Sequence, residues 1–171
     1  MALRPELGLD FMDENLLNQL HKFLREASKA TYAGDGAKVE PWRKGFKELE
    51  YRDGDWYYRD SYTGFFQSWG QEVVWHKDKP VWNSLYGGGM AEKFHGDRDF
   101  AKQTFEFLKK VLRQKESEFQ PRGPEKLTEG DWEYKCNMEG DIKNFKGSEK
   151  ILYKGEVVFT HDFIGGVVIS K

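Results

Sequence analysis

At 171 residues, 38% hydrophobic and 16% aromatic, the chain carries enough apolar material to bury one core or two packed halves, and lacks the composition of a disordered tail. Its net charge of −2 offers no basic surplus for phosphate backbones, and no uncharged run is long enough for a membrane-spanning helix, so neither nucleic acid nor a membrane is an expected partner. The single cysteine, Cys136, cannot close an internal disulfide; it reads as an inert wall residue of a strand, and a reducing cytoplasm is the simplest setting.

Residues 1–12 form a lead-in, too acidic and interrupted for a signal peptide, with Leu7, Leu9 and Phe11 placed to cover an edge. Asp13 can accept free amides as the N-cap of a first helix, whose Leu16, Leu17, Leu20, Phe23, Leu24 and Ala27 make one apolar stripe suited to a sheet. Gly34 and Gly36 close that helix. A short strand over 47–52 meets the Asp53-Gly54 hairpin turn, and the next strand, 56–62, places Trp56, Tyr58 and Tyr62 on one face. A loop over 64–70 precedes a third strand, 71–76, and the turn 77–80 leads into a fourth that runs through Tyr86. After an irregular turn over 90–95, a second helix begins near Asp99 as N-cap. It carries Phe100, Ala101, Thr104, Phe105, Leu108, Val111 and Leu112 inward, with Lys109, Lys110, Arg113 and Lys115 as a wet face. Pro121, Gly123 and Pro124 end the helical region, and strands follow near 131–137, 149–153, 156–163 and 166–170.

The stretch 54–89 recurs as 130–166. Gly54, Asp55, Trp56, Tyr58, Arg59, Gly64 and Trp69 match Gly130, Asp131, Trp132, Tyr134, Lys135, Gly140 and Phe145. After one inserted residue, Gly70, Glu72, Val74 and Lys77 match Gly147, Glu149, Ile151 and Lys154. Val81, Trp82, Tyr86, Gly88 and Gly89 match Val158, Phe159, Phe163, Gly165 and Gly166. The expected fold is α+β: internally duplicated helix plus antiparallel β-meander units, approximately 13–89 and 99–170 of a single domain, forming a curved antiparallel sheet packed with two main helices. A cleft is expected where the two halves meet.

Glu72 and Glu149 are the most suggestive polar pair, because each opens a strand whose alternating partners are apolar, and an inward carboxylate needs a partner. Three readings stay open: half-exposed strand entrances, negative charge presented to a ligand, or a paired general acid and base. Tyr58, Tyr134, Trp82 and Tyr86 are the aromatic candidates for a ligand-binding wall beside them, although each also suits an ordinary core. Asp55 and Asp131 are explained by turn geometry. Gly87-Gly88-Gly89 fits a bulge or close backbone crossing better than a phosphate nest, since neither GxGxxG nor GxxxxGK is present. His21, His76, His95 and His161 are scattered, so no metal site is expected; no nucleophile signature and no cofactor motif are present.

The pattern ATYA (30–33), GDWYYRDSYTG (54–64), GQEVVW (70–75), KPVW (79–82) and YGG (86–88), continuing through RGP (122–124), GDWEY and the closing GG, resembles a bacterial domain family of unknown function, DUF5680. The resemblance covers nearly the whole chain. Similar domains joined behind a helix-turn-helix regulator imply ligand sensing; this chain departs from them in having no basic tri-helical region before the repeat. The resemblance supplies no catalytic residue. A looser architectural likeness to duplicated effector-binding domains implies an acidic residue in an aromatic cleft that receives cationic compounds.

The sequence therefore points to a small-molecule-binding module for a cationic or aromatic ligand, with an aromatic, carboxylate-containing cleft between the repeats. The alternatives are a small carboxylate-dependent enzyme, or a non-catalytic protein-interaction domain. No residue fixes monomer or homodimer.

Overall fold

In the computed structural model, residues 12–114 and 118–170 are described. The lead-in residues Leu7, Leu9 and Phe11, and Lys115, lie outside them. The element order is α1 (Glu14–Ala30), β1 (Lys47–Asp53), β2 (Trp56–Gly64), β3 (Gln67–His76), β4 (Lys79–Met90), α2 (Arg98–Leu112), β5 (Lys126–Glu129), β6 (Trp132–Asp141), β7 (Asn144–Tyr153) and β8 (Glu156–Val167). Short 3-10 turns lie at Tyr32–Gly34 and Glu92–Phe94.

Asp13 caps α1 as expected, its Oδ1 accepting the Leu16 N–H at 2.7 Å. The second cap is Asp97, which accepts the Phe100 N–H at 3.0 Å, so Asp99 falls in the first turn rather than before it. Five strand boundaries also move. The strands expected near 131–137 and 149–153 lengthen toward each other, β6 running to Asp141 and β7 starting at Asn144. The expected loop over 64–70 is mostly strand, because β3 starts at Gln67; β4 continues through the glycines to Met90; and β8 absorbs the start of the expected 166–170 strand. The cause is shared: these glycines pair in the ladder, so they extend strands that local propensity would end. The short edge strand β5 was not anticipated from the sequence.

All strands join one open antiparallel sheet in the order β1-β2-β3-β4-β8-β7-β6-β5. Each half is a four-strand meander, and the halves meet where β4 pairs with β8. That ladder sets Tyr86 opposite Phe163, residues matched by the repeat, with Trp82↔Val167 at one end and Met90↔Phe159 at the other. Trp82 and Phe159 are matched too, so the pairing maps onto itself when the copies are exchanged. Both β3–β4 and β7–β8 carry a register shift at the same repeat position, between Val74 and Trp75 and between Ile151 and Leu152. The fold is thus α+β, internally duplicated, with two helices on a curved sheet.

The helices cover one face. From α1, Leu20, Phe23 and Ala27 pack on Trp56, Tyr58, Val74 and Trp82. From α2, Ala101, Phe107, Leu108 and Val111 pack on Tyr134, Ile151, Val158 and Phe159. One contact is made twice: Phe23 stacks on Trp56 at 5.5 Å and 27°, and Phe107 on Trp132 at 5.5 Å and 28°. Such stacks add about 0.5–1.5 kcal/mol to the roughly 1.5–3 kcal/mol each buried ring or branched side chain gains from leaving water.

Glycines at two places let this face close. A Cβ on Gly70 would lie 2.3 Å from the Tyr86 ring, and one on Gly147 would lie 2.6 Å from the Phe163 ring, so each matched aromatic lies flat across its neighbouring strand. Gly88 and Gly89 have φ of 134° and 153°, and their Cβ atoms would strike Thr160 O and Phe66 O, which makes the run a close backbone crossing. On the opposite face, buried Glu48 accepts from the Arg59 Nε, from Ser61 Oγ at 2.7 Å and from the Trp42 N–H at 3.2 Å, pinning the segment before β1 to the sheet. Among the described residues, no helix is long and apolar enough to cross a membrane.

Candidate functional site

Strand alternation decides what faces the helices. On β2, Trp56, Tyr58, Asp60 and Tyr62 share the inner face; β3 and β4 add Glu72 and Tyr86, and β8 adds His161. Between this face and the helices lies a cavity of about 240 Å³. Its inner wall is Tyr58, Asp60, Glu72, Tyr86, Arg122 and His161; α2 supplies Phe105 and Leu108, and Tyr32 and Ala33 close the side after α1. The cavity draws on both halves, but it lies between sheet and helices rather than in a gap between the meanders, which β4 and β8 join without a break.

Asp60 and Glu72 stand directly opposite each other in the β2–β3 ladder. Each carboxylate accepts a phenolic hydroxyl: Tyr58 donates to Glu72 Oε1 at 2.6 Å, and Tyr86 to Asp60 Oδ1 at 2.8 Å. Burial, and then the Glu72 charge, push the Asp60 carboxyl up to about 7; the Tyr86 hydrogen bond and the Arg122 charge oppose this without cancelling it. The Tyr58 and Tyr86 hydroxyls are pushed well up by burial and by these carboxylates, so both remain donors.

The second copy repeats part of this set. Tyr134 donates to Glu149 Oε2 at 2.7 Å, as Tyr58 does to Glu72, and the Tyr134 oxygen accepts the Gly123 N–H at 3.0 Å. Glu149, however, is neutralised from within. Arg122 donates from Nε at 2.8 Å and pairs through its second terminal nitrogen at 2.6 Å, both to Oε1. Burial pushes Glu149 up, but the Arg122 charge and then His161 outweigh it and hold the carboxyl down at about 2. The Arg122 guanidinium also lies 5.3 Å from the centre of the Tyr86 ring.

His161 is 5% exposed. Its Nδ1 lies 3.3 Å from Glu149 Oε1, a close contact with the carboxylate, and among the described residues its Nε2 is buried without a hydrogen-bond partner. Burial holds the ring below its ordinary range and therefore neutral at pH 7. Cys136 occupies the position matched to Asp60; burial pushes its thiol up to about 11, as befits an inert wall residue.

Of the six ligand-wall candidates read from the sequence, Glu72, Tyr58 and Tyr86 line the cavity together. Glu149 and Tyr134 stand behind Arg122. Trp82 is buried elsewhere on the sheet, stacked on Phe145 at 5.7 Å with its Nε1 donating to Ile142 O at 3.1 Å. Sequence reasoning missed Asp60, His161 and Arg122. Asp60 had a usable signal, an acid at the inward position between Tyr58 and Tyr62; Arg122, in a loop, had none. Among the described residues, no group of three His, Cys, Asp or Glu side chains is placed to hold a metal ion.

Residues 60–168 match the family described as Domain of unknown function (DUF5680). No curated protein and no solved structure matches the chain.

Proposed function

We propose, for a chain that belongs to the DUF5680 family, that the cavity between the sheet and the two helices binds a small molecule. The observation that carries this reading is the polar inner wall itself. Asp60, Glu72, Tyr58, Tyr86 and His161 converge on an otherwise aromatic and aliphatic enclosure, and three of them carry costs that contact with a ligand would relieve: Asp60 and Glu72 face each other as a carboxyl pair, and the His161 Nε2 has no hydrogen-bond partner among the described residues. Ligand sensing, which the resemblance to regulator-fused domains implies, is the use this arrangement suits.

The test is a thermal-shift screen of mixed metabolites against the parent and Ser28→Phe. Ser28 lines the cavity from α1, and phenylalanine there adds bulk to it while leaving every charged side chain of the wall in the sequence. A true ligand at a hundred times its Kd adds about 2.7 kcal/mol, a rise in Tm of about 5–10 °C, which Ser28→Phe abolishes while staying folded. Hits that stabilise the blocked variant equally would refute the site.

A second reading, a carboxylate-dependent enzyme, is favoured by one observation. An acid poised near 7 opposite a second carboxyl group can both give and take a proton at neutral pH. It predicts that hits from the screen are chemically altered by the parent and left intact by Asp60→Asn.

A further inference from the structure

The two copies treat the same tyrosine–glutamate pair differently. Tyr134–Glu149 carries a guanidinium, because Arg122 reaches in from the loop before β5 and meets the carboxylate through two nitrogens. Tyr58–Glu72 makes the same hydroxyl–carboxylate bond at the matched position, with a second carboxylate, Asp60, directly opposite. That second acid comes with its own hydroxyl donor, Tyr86. Where the second copy has Cys136 in place of Asp60, it also has Phe163 in place of Tyr86, so acid and hydroxyl are both present in one copy and both absent from the other. Among the described residues, neither Asp60 nor Glu72 forms an ion pair: Arg122, which lines the same cavity, is committed to Glu149, and Arg25, which shares a small neighbouring pocket with Glu72, forms no ion pair with it. The lysines on the cavity wall are also engaged: Lys109 pairs with Asp35 and Glu106, and Lys102 lies 3.9 Å from Asp99. The wall thus holds more buried negative charge than positive. Beside it, the His161 Nε2 is buried without a hydrogen-bond partner among the described residues.

We propose that Asp60 and Glu72 form the seat for a cationic ligand head, a planar amidinium or guanidinium, which takes in the first copy the place that Arg122 fills in the second. This inference rests on the cavity reading above and names its ligand class. The head donates to the two carboxylates, whose outer lone pairs are left by the Tyr58 and Tyr86 hydroxyls. The Tyr86 and Tyr32 rings and the Phe105 and Leu108 side chains receive an aromatic or aliphatic body. The neutral His161 ring accepts from, or donates to, a polar group on the far side of the head. A neutral head of the same shape would leave the acid pair uncompensated, and an anionic one would add a third like charge.

The experiment titrates the full chain with benzamidine, benzamide and benzoate by isothermal calorimetry at pH 8. These three probes share a body and a head shape and differ in charge. Benzamidine is expected to bind, benzamide at least about 10-fold more weakly, and benzoate not measurably. Asp60→Asn and Glu72→Gln should each weaken benzamidine by about 10-fold or more while circular dichroism stays unchanged. Asp60→Asn relieves a buried charge and so keeps the test open if Glu72→Gln fails to fold. Benzamide binding as tightly as benzamidine, in a manner that Ser28→Phe blocks, would overturn the cationic seat and leave the cavity reading standing. Absence of benzamidine binding, or binding unaffected by Asp60→Asn, overturns the cationic seat outright.

Discussion

Replacing Asp60 with asparagine measures the cost of the buried acid pair. The side chain is 4% exposed, and its carboxyl is raised from 3.8 to about 7, by burial first and the opposing Glu72 second. A raised acid holds in the folded state a proton that the unfolded chain has already released. Its contribution is complete below pH 3.8, and stability falls as pH rises from there to 7. Above pH 7 the loss reaches about 4 kcal/mol, at 1.36 kcal/mol for each unit between the two values. Asparagine keeps an oxygen for the Tyr86 hydroxyl and carries no charge, so it escapes this loss. Its advantage over the parent grows from roughly 1–2 kcal/mol at pH 5 to about 4 kcal/mol at pH 8. The gap in Tm should therefore widen by about 5–10 °C between those pH values. The groups facing Asp60 are Glu72 on β3, Tyr58 and Tyr62 on β2, Tyr86 on β4, Tyr32 after α1 and Arg122 before β5; all are common to both proteins, so what differs is the charge that residue 60 presents to them. Calorimetric melting of both proteins from pH 5 to 8 reads the effect directly. Parallel Tm–pH curves, or a variant less stable than the parent at pH 8, would refute the reasoning.

The Glu149 carboxyl, held down at about 2, stabilises the fold above pH 4.5, and that contribution is lost as pH falls toward 2; Glu149→Gln should flatten the acid limb of the stability profile seen by circular dichroism. Arg122→Met leaves Glu149 buried and unpaired and should cost about 3–5 kcal/mol in urea unfolding, whereas the double variant with Glu149→Gln should cost less than the sum of the two single changes. Gly70→Ala forces the Tyr86 ring off β3 and should cost about 1–3 kcal/mol, with loss of the Tyr86–Asp60 bond visible as an altered near-ultraviolet tyrosine signal. Cys136 should react with a thiol reagent at pH 8 at only about a thousandth of the rate its fully ionised form would show, since burial sets its thiolate fraction near that value.

The duplication was legible in the chain because it rests on identity along the sequence. The matched Gly, Trp, Tyr and Glu positions predicted two helix-and-meander units, and periodicity placed Leu20, Phe23 and Leu108 on the faces that became the two cores. The two-residue turns and the Asp13 cap were equally local and equally readable. Strand ends at Gln67, Met90 and Val167 were not, because a glycine's place in a ladder depends on the partner strand and not on its own propensity. The same division runs through the site. Glu72, Tyr58 and Tyr86 could be singled out by their strand positions, but three things were settled only by folding. Register set Asp60 against Glu72; a loop remote in sequence brought Arg122 into the cavity wall and paired it with Glu149 rather than with Asp60 or Glu72; and packing on Phe145 took Trp82 out of the cavity wall. A sequence fixes which charges a chain owns, while their energies depend on what lies within a few ångströms, and only the tertiary structure sets those distances.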